Sequence, residues 1–362
     1  MSAPIAMTRV EQAGLRALVA EAFEKLGLTA EDAGIFADAL VFSELRFHPG
    51  QGQGVSRLRR YQQRISKGEV VTRAPWEVIK DGPALALVDA HNGIGTVAAA
   101  KAMRLAIDKA KAGGIGTVLV RNSTHYGSSA VHACQALDHG CIGIAYTNAG
   151  PEMAPWGGRE GAVGTNPWSI AAPTDKGFPA VLDIAITTAG KGMMNWYLRE
   201  GRKMPLDWAL TPDGFETDDP GAAMKGALLG IGGHKGYGLA FMTDVLTGVL
   251  AGGGFGLTPY ANPMRLDVSH SFTAIDIGWF MDLPEFEARM GAFADMVKSR
   301  ALRPGFDEIL IPGEQEARRV AAKSQAGVPL DDVVLADLLA LRAELDLSAE
   351  LTILGPWEGP LP

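Results

Sequence analysis

The chain has 362 residues, 47% of them apolar and 20% charged, with a formal net charge of -8. That length exceeds what one compact core usually holds, so two or three lobes are expected. An acidic chain with scattered basic residues argues against general nucleic-acid binding, which runs on phosphate neutralisation, and no apolar run reaches the roughly 18 residues of a membrane helix.

The first part reads as helical. "VEQAGLRALVAEAFEKLGL" repeats its apolar residues at helical spacing and stops near Gly27. "TAEDAGIFADALVFSEL" follows with Thr29 as N-cap. Next comes the Gly-rich loop within "SELRFHPGQGQGVSRLRRY", loaded with arginines, and a helix over "SRLRRYQQRISKGEV" that ends near Gly68. The period changes after Pro75. "ALALVDA" reads as a strand, "TVAAAKAMRLAIDKAKAGG" as an Ala-rich helix, "IGTVLVRN" as a buried strand, "SSAVHACQALDHG" as a helix and "CIGIAYTN" as a strand. This alternation predicts α/β architecture. "AGPEMAPWGGREGAVGTNPW" is a long loop of the kind that usually carries function. "FPAVLDIAI" is a strand running into "TTAGKG", and "LLGIGGHKGYGLAFMTDVLTGVL" is a Gly-rich entry into an apolar helix. A late strand, "FTAIDIGWF", and three helices complete the chain.

Cys134 and Cys141 have neither the number nor the spacing of a metal site or disulfide framework, so free thiols in a reducing cytoplasm are expected. The opening "MSAPIAMTRVEQ" has no charged segment followed by an apolar run, so it does not read as a secretory signal. No His, Asp and Glu cluster has ligand spacing, and no metal is expected.

A dinucleotide-binding Rossmann unit would show Gly-x-Gly-x-x-Gly directly after an early strand, with an acidic residue about 20 residues on. "GQGQG" follows a helix, and "GIGTVAAA" lacks the third Gly. His125, in "STHYGSS", sits at the carboxyl end of a predicted strand, where ligand sites of open α/β sheets gather. His132 and His139 on the next helix read as surface or packing residues. "GGHKGYG" places His234 and Lys235 where a helix begins, a position rich in unpaired N–H groups. "TTAGKG" offers Thr187, Thr188 and Lys191, the same chemistry again. Two such elements suggest a ligand with two anionic groups, such as a dinucleotide.

The ordered run "STHYG", "TNAGPEMAPWGG", "GTNP", "LDIAITTAGKG", "PLDWALTPDGFETDDP", "GGHKGYGLAFMTDVLTGVL" and "IPGEQE" resembles the type-2 malate/L-lactate dehydrogenase family. Ureidoglycolate and sulfolactate dehydrogenases, diketogulonate reductase and the piperideine-carboxylate reductases belong to it. The resemblance implies a non-Rossmann, mixed-sheet α/β fold of the L-sulfolactate dehydrogenase type, with a helical lobe built from both termini. The expected lobes are 1–74 plus 300–362 (helical), 75–122 plus 255–299 (substrate and dimer) and 123–254 (cofactor). It also implies a homodimer that transfers hydride between NADH or NADPH and a small 2-oxo, 2-hydroxy or 2-imino carboxylic acid. Carried over residue by residue, His125 matches the family's His as proton donor or acceptor. Asp183, Thr187, Thr188, Lys191, His234, Lys235, Gly313 and Glu314 match the phosphate and ribose contacts. Met153 and Asn166 fall on the nicotinamide and substrate side.

The family's Ser-His-Gly-Val-x-Arg-Leu stretch maps onto "GQGVSRL". Arg46, Arg57 and Tyr61 match, which makes this loop the substrate mouth with Arg57 as a carboxylate clamp. The family's loop His, often assigned as proton donor, is Gln53 here, in a slightly longer loop. An amide is no general acid or base near neutral pH. Three alternatives follow: His48 swings into the vacated place, His125 carries the proton alone with Gln53 binding the substrate, or the substrate is an imine that arrives protonated. The expectation adopted is His125 as acid/base, with Gln53 and His48 as contacts beside it. A binding protein that kept the fold and lost catalysis is the remaining reading.

Overall fold

Residues 5–358 are described in the computed structural model. The outermost residues of the helical lobe expected over 1–74 plus 300–362 (1–4 and 359–362) lie outside the described residues. A short strand β1 (Met7–Val10) leads into α1 (Gln12–Lys25) and α2 (Ala30–Arg46). Thr29 caps α2 by accepting the Asp32 N–H at 3.1 Å, satisfying one orphan donor of the first turn. Two 3-10 turns carry the 48–57 loop into α3 (Leu58–Ser66), which is followed by Gly68 at φ +71°.

The hairpin β2 (Glu77–Asp81) and β3 (Leu85–Asp89) precedes α4 (Gly95–Gly113), β4 (Ile115–Ser123), α5 (Ser129–Ala133) and β5 (Cys141–Thr147). Then come β6 (Trp168–Ala172), β7 (Ala180–Ile184), α6 (Lys191–Arg199), α7 (Pro220–Ala223) and α8 (His234–Asp244), the last continuing through a π turn, Val245–Val249. The chain closes with β8 (Val268–Asp276), α9 (Leu283–Lys298), α10 (Glu314–Ala326), β9 (Val328–Asp331), α11 (Asp332–Glu344) and β10 (Ile353–Pro356).

A seven-stranded sheet runs in the order β2-β3-β4-β8-β5-β6-β7. Only β3 and β4 pair in parallel; the other neighbours are antiparallel. With one parallel pair there is no doubly wound sheet and no switch point of the Rossmann kind. Alanines of α4 (Ala99, Ala102, Ala106) pack on Val88, Val118, Val120 and Phe272 of the sheet. The helix comes so close that a Cβ on Gly116 would lie 2.1 Å from the Ala106 carbonyl oxygen. A three-stranded sheet, β10-β1-β9, ties the two chain ends together. Beneath it, one core joins Leu15 and Phe23 of α1, Phe36 and Leu40 of α2 and Leu58 of α3 to Leu338 and Leu341 of α11. Each such side chain contributes about 1.5–3 kcal/mol on burial, so the helical lobe is built from both ends of the chain.

Candidate active site

His125 lies between β4 and α5, at the carboxyl end of β4, and its position is fixed from three sides. Gly95, the first residue of α4, sits against it so closely that a Cβ would fall 2.1 Å from the Thr124 carbonyl oxygen and 2.5 Å from that of His125. Thr124 Oγ1 accepts the Gly95 N–H and donates to the Gly93 carbonyl, both at 2.9 Å. The imidazole Nδ1 accepts the Gly127 N–H at 3.2 Å and lies 3.0 Å from the Tyr61 hydroxyl, which is also 3.1 Å from the His125 carbonyl oxygen. A backbone N–H cannot accept, so the resting neutral ring carries its proton on Nε2. Burial, followed by the positive charges of Arg57, Arg60 and Arg64, holds the imidazole well below its ordinary value.

The loop before α3 brings Arg57 to this place. Its Nε donates to the Gly52 carbonyl at 2.6 Å, closing the loop on itself. Below the loop, Glu44 of α2 is buried, and its Oε1 accepts the Val55 N–H at 2.6 Å. Gly54 is obligatory here, because a Cβ would lie 2.1 Å from the Glu44 carboxylate. Lys323 of α10 is 1% exposed and donates to the Glu44 and Phe47 carbonyls at 2.8 and 2.6 Å, capping α2. Burial pushes the Glu44 carboxyl up and the Lys323 amine down, each opposed by the other's charge. This buried pair escaped the sequence reading. Its signal was a carboxylate and an amine placed where the helices turn inward, visible only once α2 and α10 are known to touch.

His48 caps the first 3-10 turn: its Nδ1 accepts the Gly50 N–H at 3.0 Å, and its ring meets Trp196 of α6 edge-on at 5.0 Å. Burial lowers its pKa. Gln53 Nε2 reaches the Gln51 carbonyl at 3.5 Å, while its Oε1 is buried without a hydrogen-bond partner among the described residues. Arg46 is 5% exposed, lies over Phe42 at 5.8 Å, and has an unpartnered Nε. Its charge acts on Asp183 of β7, whose Oδ2 accepts the Ala130 N–H at 2.9 Å and whose carboxyl is pushed up to about 7 by burial.

A second cluster forms around the two Gly-rich elements, which the fold brings together. Thr187 pairs with Gly230, Ile231 donates to the Ile186 carbonyl at 2.9 Å, and the Thr188 N–H donates to the Leu229 carbonyl at 3.0 Å. Beside them is a cavity of about 370 Å³ lined by Thr188, Trp156, Gly230, Gly233, Asp207 and Glu216. The first turn of α8 has no side-chain cap, and neither has α6, which starts at Lys191. Cβ atoms on Gly230 and Gly236 would lie 2.8 and 2.4 Å from backbone nitrogens, so the turn admits only glycine. Thr187 Oγ1 is buried and has no hydrogen-bond partner among the described residues. Lys191 Nζ is 3.5 Å from Glu152, His234 meets the Trp156 ring at 5.7 Å, and Lys235 is exposed. Uncapped helix starts, exposed lysine and an orphan hydroxyl fit a phosphate-bearing ligand, and the two carboxylates fit its hydroxyls.

The remaining predicted residues face elsewhere. Met153 is fully buried in a small core with Val163, Ile186 and Ala240. Asn166 is fully buried; it accepts the Ala149 N–H at 2.9 Å and donates to the Ala240 carbonyl at 2.8 Å. Gly313, at φ +89°, lets the chain pass Val181 of β7, where its Cβ would be 2.8 Å from that nitrogen. Glu314 receives Lys298 at 2.6 Å and Arg318 at 2.7 Å, so protein cations already occupy its carboxylate.

The mixed sheet, with its single parallel pair, is that of an oxidoreductase class distinct from Rossmann dehydrogenases. The sequence model of that class, malate/L-lactate dehydrogenase, matches residues 10–339, and the chain belongs to this family. It is similar to the malate dehydrogenase of Pyrococcus abyssi, 38% identical over 339 residues that cover 91% of this chain and 93% of the relative. The solved sulfolactate dehydrogenase of Methanocaldococcus jannaschii superposes with a TM-score of 0.86 at 34% identity, covering 94% of this chain and 98% of that one. The solved delta1-piperideine-2-carboxylate reductase of Pseudomonas syringae gives 0.81 at 26% identity, over 92% and 99%. No helix among the described residues is long and apolar enough to cross a membrane.

Proposed function

We propose that the protein transfers hydride between a nicotinamide dinucleotide, NADH or NADPH, and C2 of a small 2-oxo or 2-hydroxy carboxylic acid. The observation that carries this reading is the His125 ring, tethered through Nδ1 and free of hydrogen bonds at Nε2 among the described residues, under the charge of Arg57. Thr188, Lys191, Lys235 and the first N–H groups of α8 would hold the dinucleotide, which supplies the hydride when bound. Arg57 clamps the substrate carboxylate through paired hydrogen bonds. That carboxylate offsets the positive field that keeps His125 neutral, so binding favours the imidazolium just where an oxo acid needs a proton. Nε2 gives its proton to the substrate oxygen as the carbonyl is reduced, and takes it back when a hydroxy acid is oxidised. Arg60 and Arg64 add positive charge. Together with the relatives' names, malate and sulfolactate dehydrogenase, they favour an acid with a second anionic group.

A second reading rests on Gln53. Its buried, unpartnered carbonyl oxygen suits a substrate N–H, as in an imino acid, better than an oxo group that needs a donor. Cofactor oxidation separates the two. Purified protein is given NADH or NADPH with 2-oxo acids, bearing or lacking a second acidic group, each with and without methylamine, and with cyclic imino acids. Turnover of 2-oxo acids alone supports the main reading. Turnover only with amine or imine transfers the proposal to imine reduction, and binding of cofactor with no turnover at all removes both.

A further inference from the structure

With an amide at position 53 and the His48 Nδ1 engaged by the Gly50 N–H, the proton is left to His125. After Nε2 gives up its proton, the ring is neutral with hydrogen on Nδ1, the opposite of the resting tautomer. That Nδ1–H needs an acceptor. Of the two groups that meet Nδ1, the Gly127 N–H can only donate. The Tyr61 hydroxyl can do either, and a second acceptor for its own hydrogen, the His125 carbonyl oxygen, stands 3.1 Å away.

We propose that Tyr61 is the positioning residue that lets His125 act in both directions, donating to Nδ1 in the resting ring and accepting from Nδ1–H in the imidazolium and in the base form. This rests on the reading of His125 as the acid/base. The balance is simple. The proton on Nδ1 comes from water when substrate binding favours the imidazolium, and it stays on the ring; the Tyr61 proton never leaves its oxygen and turns from Nδ1 to the His125 carbonyl oxygen. The proton transferred to substrate is the one on Nε2, and the electron pair of the carbonyl bond moves to the oxygen that receives it. Tyr61 is 4% exposed and held edge-on against Phe36 at 4.9 Å and Phe23 at 6.3 Å, so the hydroxyl cannot wander. Burial keeps the phenol protonated, at about 12, which suits a group that redirects a hydrogen without releasing it. Besides Tyr61, the charged and titratable groups acting on His125 are Arg57 from the loop before α3, Arg60 and Arg64 from α3 and His270 from β8. Each of these opposes the imidazolium, and Tyr61 offers an acceptor to it.

The test is Tyr61→Phe, which keeps the ring and its packing on Phe36 and Phe23, read in two ways. First, histidine-labelled full-length protein is titrated by NMR with and without oxamate, a carboxylate that is not reduced, and His125 is assigned with H125N. Wild type is expected to show a pyridine-like Nδ1 at rest and a rise in the His125 pKa on oxamate binding; in Y61F that rise is smaller. Second, kcat for reduction is expected to fall roughly 10- to 100-fold with KM nearly unchanged. Its descending limb, and the ascending limb for oxidation, both move to lower pH, because the protonated ring has lost its acceptor. A purely structural role for Tyr61 would leave both limbs in place, and unchanged His125 resonances in Y61F would overturn the proposal. Should Y61F fold poorly, a ring-difluorinated tyrosine at position 61 keeps the hydroxyl but weakens it as an acceptor; the same downward shift is expected, and none would be contradictory. The NMR arm needs no turnover, so an inactive wild type would remove the functional reading while the tautomer result still decides the role of Tyr61.

Discussion

In the proposed site one side chain, Arg57, acts on both substrate affinity and the acidity of His125. Its side chain is half-buried, anchored through Nε to the Gly52 carbonyl, and contributes the strongest positive charge felt at His125. Replacing it with Met removes the carboxylate clamp, and KM is expected to rise about 10- to 100-fold, the equivalent of the roughly 1.5–3 kcal/mol in a hydrogen bond to a charged group. The same change weakens the field that depresses the imidazole, so the pH limb of kcat/KM moves upward, opposite to the shift expected for Y61F. Steady-state kinetics across pH reads both effects, and an unchanged KM would take Arg57 out of the substrate site. The sequence motifs singled out His125 and Arg57, and the fold brings the charge of Arg57 to bear on His125. The place of Met153 was not legible in the sequence, since a methionine in a Pro- and Gly-rich stretch gives no periodicity, and its burial among Val163, Ile186 and Ala240 comes from distant elements. Glu314 meets Arg318 one turn along α10, and meets Lys298 because the end of α9 lies beside it.

At the scale of elements, the 48–57 loop depends on the buried Glu44 beneath it. Glu44 holds the N–H of Val55 and leaves no room for a side chain at Gly54. Gly54→Ala forces the carboxylate or the loop to move, a strain of about 1–3 kcal/mol. A lowered melting temperature is expected together with reduced kcat, since Arg57 and Gln53 shift with the loop; wild-type stability and rate in this variant would show that the contact is soft. Local periodicity made the alternation from β3 to β5 and the cap at Thr29 readable, because these are contiguous signals. β2 escaped because all five of its residues are exposed and show no alternation. β1, β9 and β10 escaped because they exist only by pairing residues from opposite ends of the chain, with Pro329 inside β9. α6 escaped because it follows a glycine and opens without a side-chain cap.

At the scale of the whole molecule, the sheet is mixed, one core joins the chain ends to α1–α3, and the 48–57 loop carries Arg57 towards His125. His125 follows the sheet strand β4 while Tyr61 and Arg57 come from the helical lobe and its loop, so His125 and its partners meet only when the two are docked. The absence of a Rossmann fingerprint was legible, and it agrees with a sheet that has a single parallel pair. The two Gly-rich elements proposed to replace that fingerprint were singled out from the sequence; that they lie side by side came only with the pairing of Thr187 and Gly230. The central claim is that His125 moves the proton that accompanies hydride transfer. The most direct measurement compares kcat of wild type and H125N on the acid that wild type turns over fastest, with cofactor affinity measured alongside by fluorescence. A fall in kcat of about 10²- to 10⁴-fold with cofactor affinity preserved is predicted; a variant that turns over as fast as wild type would contradict the account.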